Sequence, residues 1–130
     1  MVRLMAGWLF DRPVSWYNPR ATSPAQLVTD SPVAGSRLAG KPVFVLTSSR
    51  TFSGAEHFAY NLKTLKRATI VGEATSGAAH AGRGTPQSQV ALAEPKPLWE
   101  GTGVQPDVRV GAADALRVAE TMARSAIHKK

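Results

Sequence analysis

The chain has 130 residues, 43% of them hydrophobic, with sixteen lysines and arginines against nine acids for a formal net charge of +7, and no cysteine. That length and apolar content make one domain's worth of chain with a real core and exclude a disordered one, while the missing cysteines exclude disulfides, zinc–thiolate sites and thiol catalysis. The basic residues are scattered, with only Lys66-Arg67 and Lys129-Lys130 adjacent, so the charge reads as a solvated surface and no nucleic-acid partner is expected.

In chain order, a helix is expected over residues 2–9, and then a long, mostly irregular segment over residues 11–41 that contains Pro13, Pro19, Pro24 and Pro32. Long connections of this kind are usually lids or binding segments, so Trp16 and Tyr17 either line a substrate cleft or pack the segment down. Residues 43–46 are apolar without alternation and predict a strand over 43–47 covered on both faces, as in a parallel sheet flanked by helices. Ala55, Phe58, Ala59 and Leu62 recur at helical spacing, predicting a helix over 54–65 with that stripe on the sheet, and a second strand follows over 68–71. Strand, helix and strand in that span form a parallel crossover, which makes the class α/β. Further strands are expected over 87–92 and 108–110, and Ala115, Leu116, Ala119, Met122 and Ala126 mark a closing amphipathic helix. No run approaches the about eighteen apolar residues of a membrane span, and residues 1–10 lack the apolar stretch and cleavage site of a signal peptide.

Ser53 stands where the first strand turns into its helix, at the end of the sheet where ligands of such folds collect. Two readings of it are open. Ser53-Gly54-Ala55-Glu56 fits a capping box, in which hydroxyl and carboxylate satisfy each other's backbone donors. A serine there also lies beside unpaired N–H groups at the positive end of the helix dipole, which suits a nucleophile whose reaction develops an oxyanion. His57 follows four residues later on the same helical face, within conceivable reach as a base. His128 sits in a basic tail and reads as solvated. The histidines have no metal-ligand spacing with a carboxylate, so neither a metal nor another cofactor is expected.

Two blocks carry a resemblance. Val43 to Gly77, with Thr51-Phe52-Ser53-Gly54-Ala55-Glu56 and Ile70-Val71-Gly72-Glu73, and Trp99-Glu100-Gly101-Thr102-Gly103-Val104-Gln105-Pro106-Asp107 occur in the order found in the tail-specific or C-terminal processing serine peptidase family, which the chain resembles. The resemblance implies a crotonase or Clp-like spiral ββα fold, Ser53 as the nucleophile, the Gly54 N–H as an oxyanion donor, and peptide or protein substrates. Bacterial processing members carry a lysine base in a Gly-Lys pair after the second strand, and here that position is Ala78. The chain is therefore more similar to the branch of the tricorn core and the interphotoreceptor retinoid-binding protein repeats. In the tricorn arrangement Glu100 matches the glutamate that orients a second serine and, through it, the histidine base. His80 falls in a loop where relatives often have histidine and is expected to border the cleft. Family members often have an acidic residue where His57 stands.

The histidine base, its partner serine and a glycine-rich oxyanion turn belong to an earlier part of the family domain. Residues 1–130 thus resemble the carboxyl-terminal portion of a catalytic domain, and the expectation is a fold with its N-terminal portion missing, weakly active alone, prone to self-association or dependent on a preceding segment. The alternative is a non-catalytic ligand- or peptide-binding module, as in the retinoid-binding repeats. Acyl-thioester chemistry on the related crotonase fold is a third reading that Ser53 in a peptidase motif disfavours. Many relatives are exported, so a periplasmic or secreted location is compatible with the family, and the residues leave the compartment open.

Overall fold

The computed structural model describes residues 2–18, 28–30, 33–78, 99 and 101–128. The chain divides into two compact units, Met1–Lys41 with Gly82–Lys96 and Pro42–Ala81 with Pro97–Lys130. The strand expected over 87–92 and the residues His80 and Glu100 lie outside the described residues.

In the first unit, α1 (Val2–Gly7) is shorter than expected. Its end tightens into i→i−3 bonds, Trp8 N–H to Met5 O at 3.3 Å and Leu9 N–H to Ala6 O at 2.9 Å, which satisfy carbonyls that a helix end otherwise leaves open. The described part of 11–41 is irregular apart from an antiparallel bridge between Ser15 and Val28. Beside it, Thr29 exchanges bonds with Val14: its N–H reaches Val14 O at 3.0 Å, and its hydroxyl accepts from Val14 N–H at 3.1 Å. The Arg37 guanidinium donates to Phe10 O at 2.9 Å, and Arg3 pairs with Asp30. Trp16 is 1% exposed, so of the two expectations for it the structure gives packing of the segment.

The second unit holds β1 (Phe44–Thr47), α2 (Gly54–Thr64), β2 (Thr69–Gly72), β3 (Val108–Arg109) and α3 (Ala112–His128). The strands form a parallel sheet in the order β1-β2-β3, with Phe44 opposite Thr69 and Val71 opposite Val108. This is an α/β arrangement. β2 is central, and its Ile70 and Val71 are completely buried, each side chain contributing about 1.5–3 kcal/mol. Period-2 alternation sends Phe44, Val71 and Val108 to one face, where they meet Ala115 and Ala119 of α3 with Val118 and Met122.

Three expected faces are shifted. Leu46 on β1 is 43% exposed, because β1 is an outer strand of the described sheet and only β2 is covered throughout. Ala55 is exposed, since α2 turns Glu56, Ala59 and Leu62 inward. The polar Glu56 occupies the face that a hydrophobic stripe would have placed one residue earlier. Leu116 is 59% exposed, because the packed face of α3 runs through Ala115, Val118, Ala119 and Met122. Two alanines there let the helix approach Val71 closely.

Loop bonds extend the sheet at both ends. At the amino end of β3, Asp107 accepts from Ile70 N–H at 2.8 Å and pairs with Lys63 at 2.5 Å. The pair is about one-third exposed on either side, so the ionic part contributes only about 0–1 kcal/mol, and the bond to the strand does the positioning. At the carboxyl end, Glu73 accepts from Ser49 N–H at 3.0 Å and from Ala112 N–H at 3.3 Å, tying the exit of β1 to the start of α3.

Those bonds, first the one from Ser49 and then the one from Ala112, hold the Glu73 carboxyl below its ordinary value. A carboxylate with a depressed folded-state value stabilises above its unfolded value, and the contribution is lost as pH falls through the folded one. Glu73→Gln is therefore expected to be less stable than the unmodified chain near neutrality and to converge with it as acidification protonates the folded carboxylate. Urea midpoints of both proteins across that range check the sign.

Candidate functional site

β1 ends at Thr47, and the chain reverses through a tight turn in which Thr51 N–H bonds to Ser48 O at 2.9 Å and Ser48 N–H to the Thr51 hydroxyl at 3.0 Å. The turn delivers Ser53 to the start of α2 at φ 53°, ψ −120°. Glycine normally occupies that region, the first central position of a type II′ turn, and another residue there costs on the order of 1–3 kcal/mol. An ordinary N-cap sits in the β region without strain. Ser53 and Glu56 form a capping box, with the Ser53 side chain facing the Glu56 N–H and Ser53 N–H donating to Glu56 Oε2 at 2.9 Å. The hydroxyl is held at a strained strand-to-helix turn, partly open to solvent, a placement that presents a side chain to a ligand.

Glu56 is what holds it. The side chain is completely buried and accepts four hydrogen bonds. Oε1 takes the Thr75 hydroxyl at 2.6 Å and Gly77 N–H at 2.6 Å; Oε2 takes Ser53 N–H at 2.9 Å and Ala78 N–H at 3.0 Å. A carboxylate has about four lone-pair directions, and all are used. The strained turn is thereby locked to the loop that follows β2.

That loop is backed by the 99–104 turn. Thr75 N–H reaches Val104 O at 3.2 Å, Val104 N–H reaches the Thr75 hydroxyl at 2.7 Å, and Gly101 N–H reaches Gly77 O at 2.8 Å. The two segments touch backbone to backbone at glycines. A Cβ on Gly103 (φ 73°) would lie 2.0 Å from Thr75 O, and one on Gly77 (φ 79°) would lie 2.8 Å from the Gly101 carbonyl carbon. Only glycine fits such an approach at such angles.

Gly54 is exposed at the first position of α2, and its N–H has no hydrogen-bond partner among the described residues. It is one of the donors that a helix start leaves open, at the positive end of the dipole. His57 N–H bonds to Ser53 O at 3.0 Å. The described residues hold no group of three or more His, Asp or Glu suited to a metal ion, and no helix long and apolar enough to cross a membrane.

The structure thus brings Ser53, Gly54 and His57 onto one turn and the first helical turn after it. The residue that sequence reasoning undervalued is Glu56, taken there only as half of a cap. A buried acid on an otherwise apolar face was the available signal, and its three donors from the 75–78 loop were not visible in local sequence. Compared with known proteins, the chain matches the model of Peptidase family S41 over residues 2–110, a span that includes the Ser53 turn, Glu56 and the 99–104 turn.

Substitutions at two positions probe this construction. Glu56→Gln keeps the shape but puts an amide N–H₂ against backbone donors, and is expected to cost about 1–3 kcal/mol in urea unfolding. Ser53→Gly relieves the strained φ and is expected to be about 1 kcal/mol more stable than Ser53→Ala, which keeps the strain, by the same measurement. Equal stability of the two Ser53 variants would mean that the turn is not strained.

Proposed function

Because this chain belongs to peptidase family S41, a family of serine-type hydrolases, we propose that it cleaves peptide bonds through an acyl-enzyme formed on Ser53. The observation that carries the reading is the positive φ of Ser53 at the strand-to-helix turn, beside a Gly54 N–H that has no partner among the described residues. A strained residue persists only where surrounding contacts over-determine it, and such residues concentrate at functional sites. A plain helix cap would need neither the strain nor the four-donor carboxylate beneath it.

In this mechanism the Ser53 oxygen attacks the substrate carbonyl carbon while its proton passes to a base. The carbonyl oxygen becomes an oxyanion, and the Gly54 N–H supplies part of its stabilisation, reinforced by the α2 dipole. Collapse expels the amine, which takes the proton back, and leaves the ester on Ser53. Water then attacks the ester, again with proton transfer through the base, and releases the carboxylic acid. Ala78 stands where a lysine base would be, so the base is assigned to a histidine carried by a segment other than those described, with Glu100 orienting a second serine and, through it, that histidine. Within the family, the tail-specific branch that includes the tricorn core, with its crotonase or Clp-like spiral fold, is the branch this reading adopts. Peptides or proteins are its substrates, and His80 borders the cleft.

Ser53→Ala is expected to abolish turnover by at least about a thousandfold while leaving peptide affinity nearly unchanged, since loss of a nucleophile acts on the chemical step. Fluorophosphonate labelling followed by mass spectrometry provides the direct check, with the label on Ser53 in the unmodified protein and absent from the variant. Undiminished turnover by purified Ser53→Ala protein would overturn the assignment.

A further inference from the structure

Trp99 is buried, and its ring lies against Tyr60 with centroids 3.9 Å apart and planes inclined by 41°. Tyr60 is on α2, one turn after Glu56, so the indole grips the helix that carries the clamp. The backbone of Trp99 then starts a tight turn: its carbonyl accepts from Gly103 N–H at 2.7 Å and from Thr102 N–H at 3.2 Å. Gly101 and Val104 of that turn bond to Gly77 O and to the Thr75 hydroxyl, and Gly77 N–H and the Thr75 hydroxyl are the donors to Glu56 Oε1. Glu56 Oε2 holds Ser53 N–H. A continuous set of contacts therefore runs from the indole to the Ser53 turn, and it leaves from and returns to the same helix.

We propose that Trp99 is a positioning residue for the serine chemistry: packed against Tyr60, it sets the turn that runs to Val104, and that turn sets the donors of the Glu56 carboxylate beneath Ser53. The proposal rests on the reading of Ser53 as nucleophile. The geometry distinguishes it from plain core filling, because the turn's bonds fall on the same two residues, Thr75 and Gly77, that donate to Oε1, and on the very Thr75 hydroxyl that does so. A shift of the turn by a fraction of an ångström lengthens those bonds before it opens the core. An aromatic pair contributes about 0.5–1.5 kcal/mol beyond its burial, a modest part of a domain's stability, whereas misplacing a nucleophile by about 1 Å can cost about a hundredfold in rate.

The test is the rate of Ser53 acylation by a fluorophosphonate, read as a rate constant and a labelled fraction, for Trp99→Phe and Trp99→Leu beside the unmodified protein. Trp99→Phe keeps a ring on Tyr60 and is expected within about threefold of the unmodified rate. Trp99→Leu is expected to label to the same final fraction with a rate constant lower by about ten- to a hundredfold. A purely structural role predicts the opposite split, with a smaller labelled fraction and an unchanged rate constant, and that result would overturn the proposal. If Trp99→Leu does not fold, Tyr60→Leu removes the same contact from the other side and decides by the same criterion. Protein that contains the base-bearing segment and still fails to label at Ser53 overturns the peptidase reading and this proposal with it; labelled protein whose rate is indifferent to the Tyr60–Trp99 contact overturns this proposal alone.

Discussion

The Glu56 carboxylate is the constraint on which the second unit's functional end depends. Removing a charge from water costs several kcal/mol even after relaxation, and the cost is offset only when every lone pair finds a donor. Here the donors come from the Ser53 turn, from Thr75 and from the backbone of Gly77 and Ala78, so the carboxylate is satisfied only when these segments are in place together. Charge-assisted bonds of 2.6 Å to Oε1 are at the strong end of their range. A group that is costly when half-satisfied and strong when complete leaves little room for intermediate geometries. That property lets a serine be held at an unfavourable backbone angle.

The sheet supplies the frame for this clamp. Parallel pairing of β1 with β2 and β2 with β3 brings the loops after β1 and β2 to one end, and the 99–104 turn precedes β3 and backs the second of them. Backbone contact between the 75–78 loop and the turn is possible because Gly77 and Gly103 have no Cβ and adopt positive φ. The frame and the clamp thus meet at residues without side chains, where hydrogen bonds between backbones set the spacing. Glu73 does similar work further out, joining the exit of β1 to the start of α3.

Strain and openness occur at adjacent residues. Ser53 has the unusual φ, and Gly54 has the N–H without a partner among the described residues. Both lie at the start of α2, where the helix dipole is most positive. The buried side of that same turn is fully hydrogen-bonded through Glu56. A site that must stabilise a transient anion benefits from donors that are fixed in place and not engaged by the protein itself. The first turn of α2 separates those roles cleanly, with one face satisfied and the other open.

Much of this was legible in the chain alone. The apolar run at 43–46, the helical spacing through Ala59 and Leu62 and the closing pattern at Ala115, Ala119 and Met122 each indicated an element that the structure has, because periodicity records which face meets the core. The motif around Ser53 located the turn for the same local reason. Ala55 and Leu116 were assigned to the wrong faces, since a helical stripe has a phase that only its packing partner fixes, and in α2 that partner engages the polar Glu56. Local sequence also left Ser53 between cap and nucleophile. The dihedral angles of Ser53 and the donors on Glu56 both arise from contacts between Ser53, Glu56 and the 75–78 loop, up to twenty-two residues from Glu56 along the chain. Local preferences determined which elements form, and only tertiary structure, by bringing distant donors onto one buried carboxylate, decided how the serine is held.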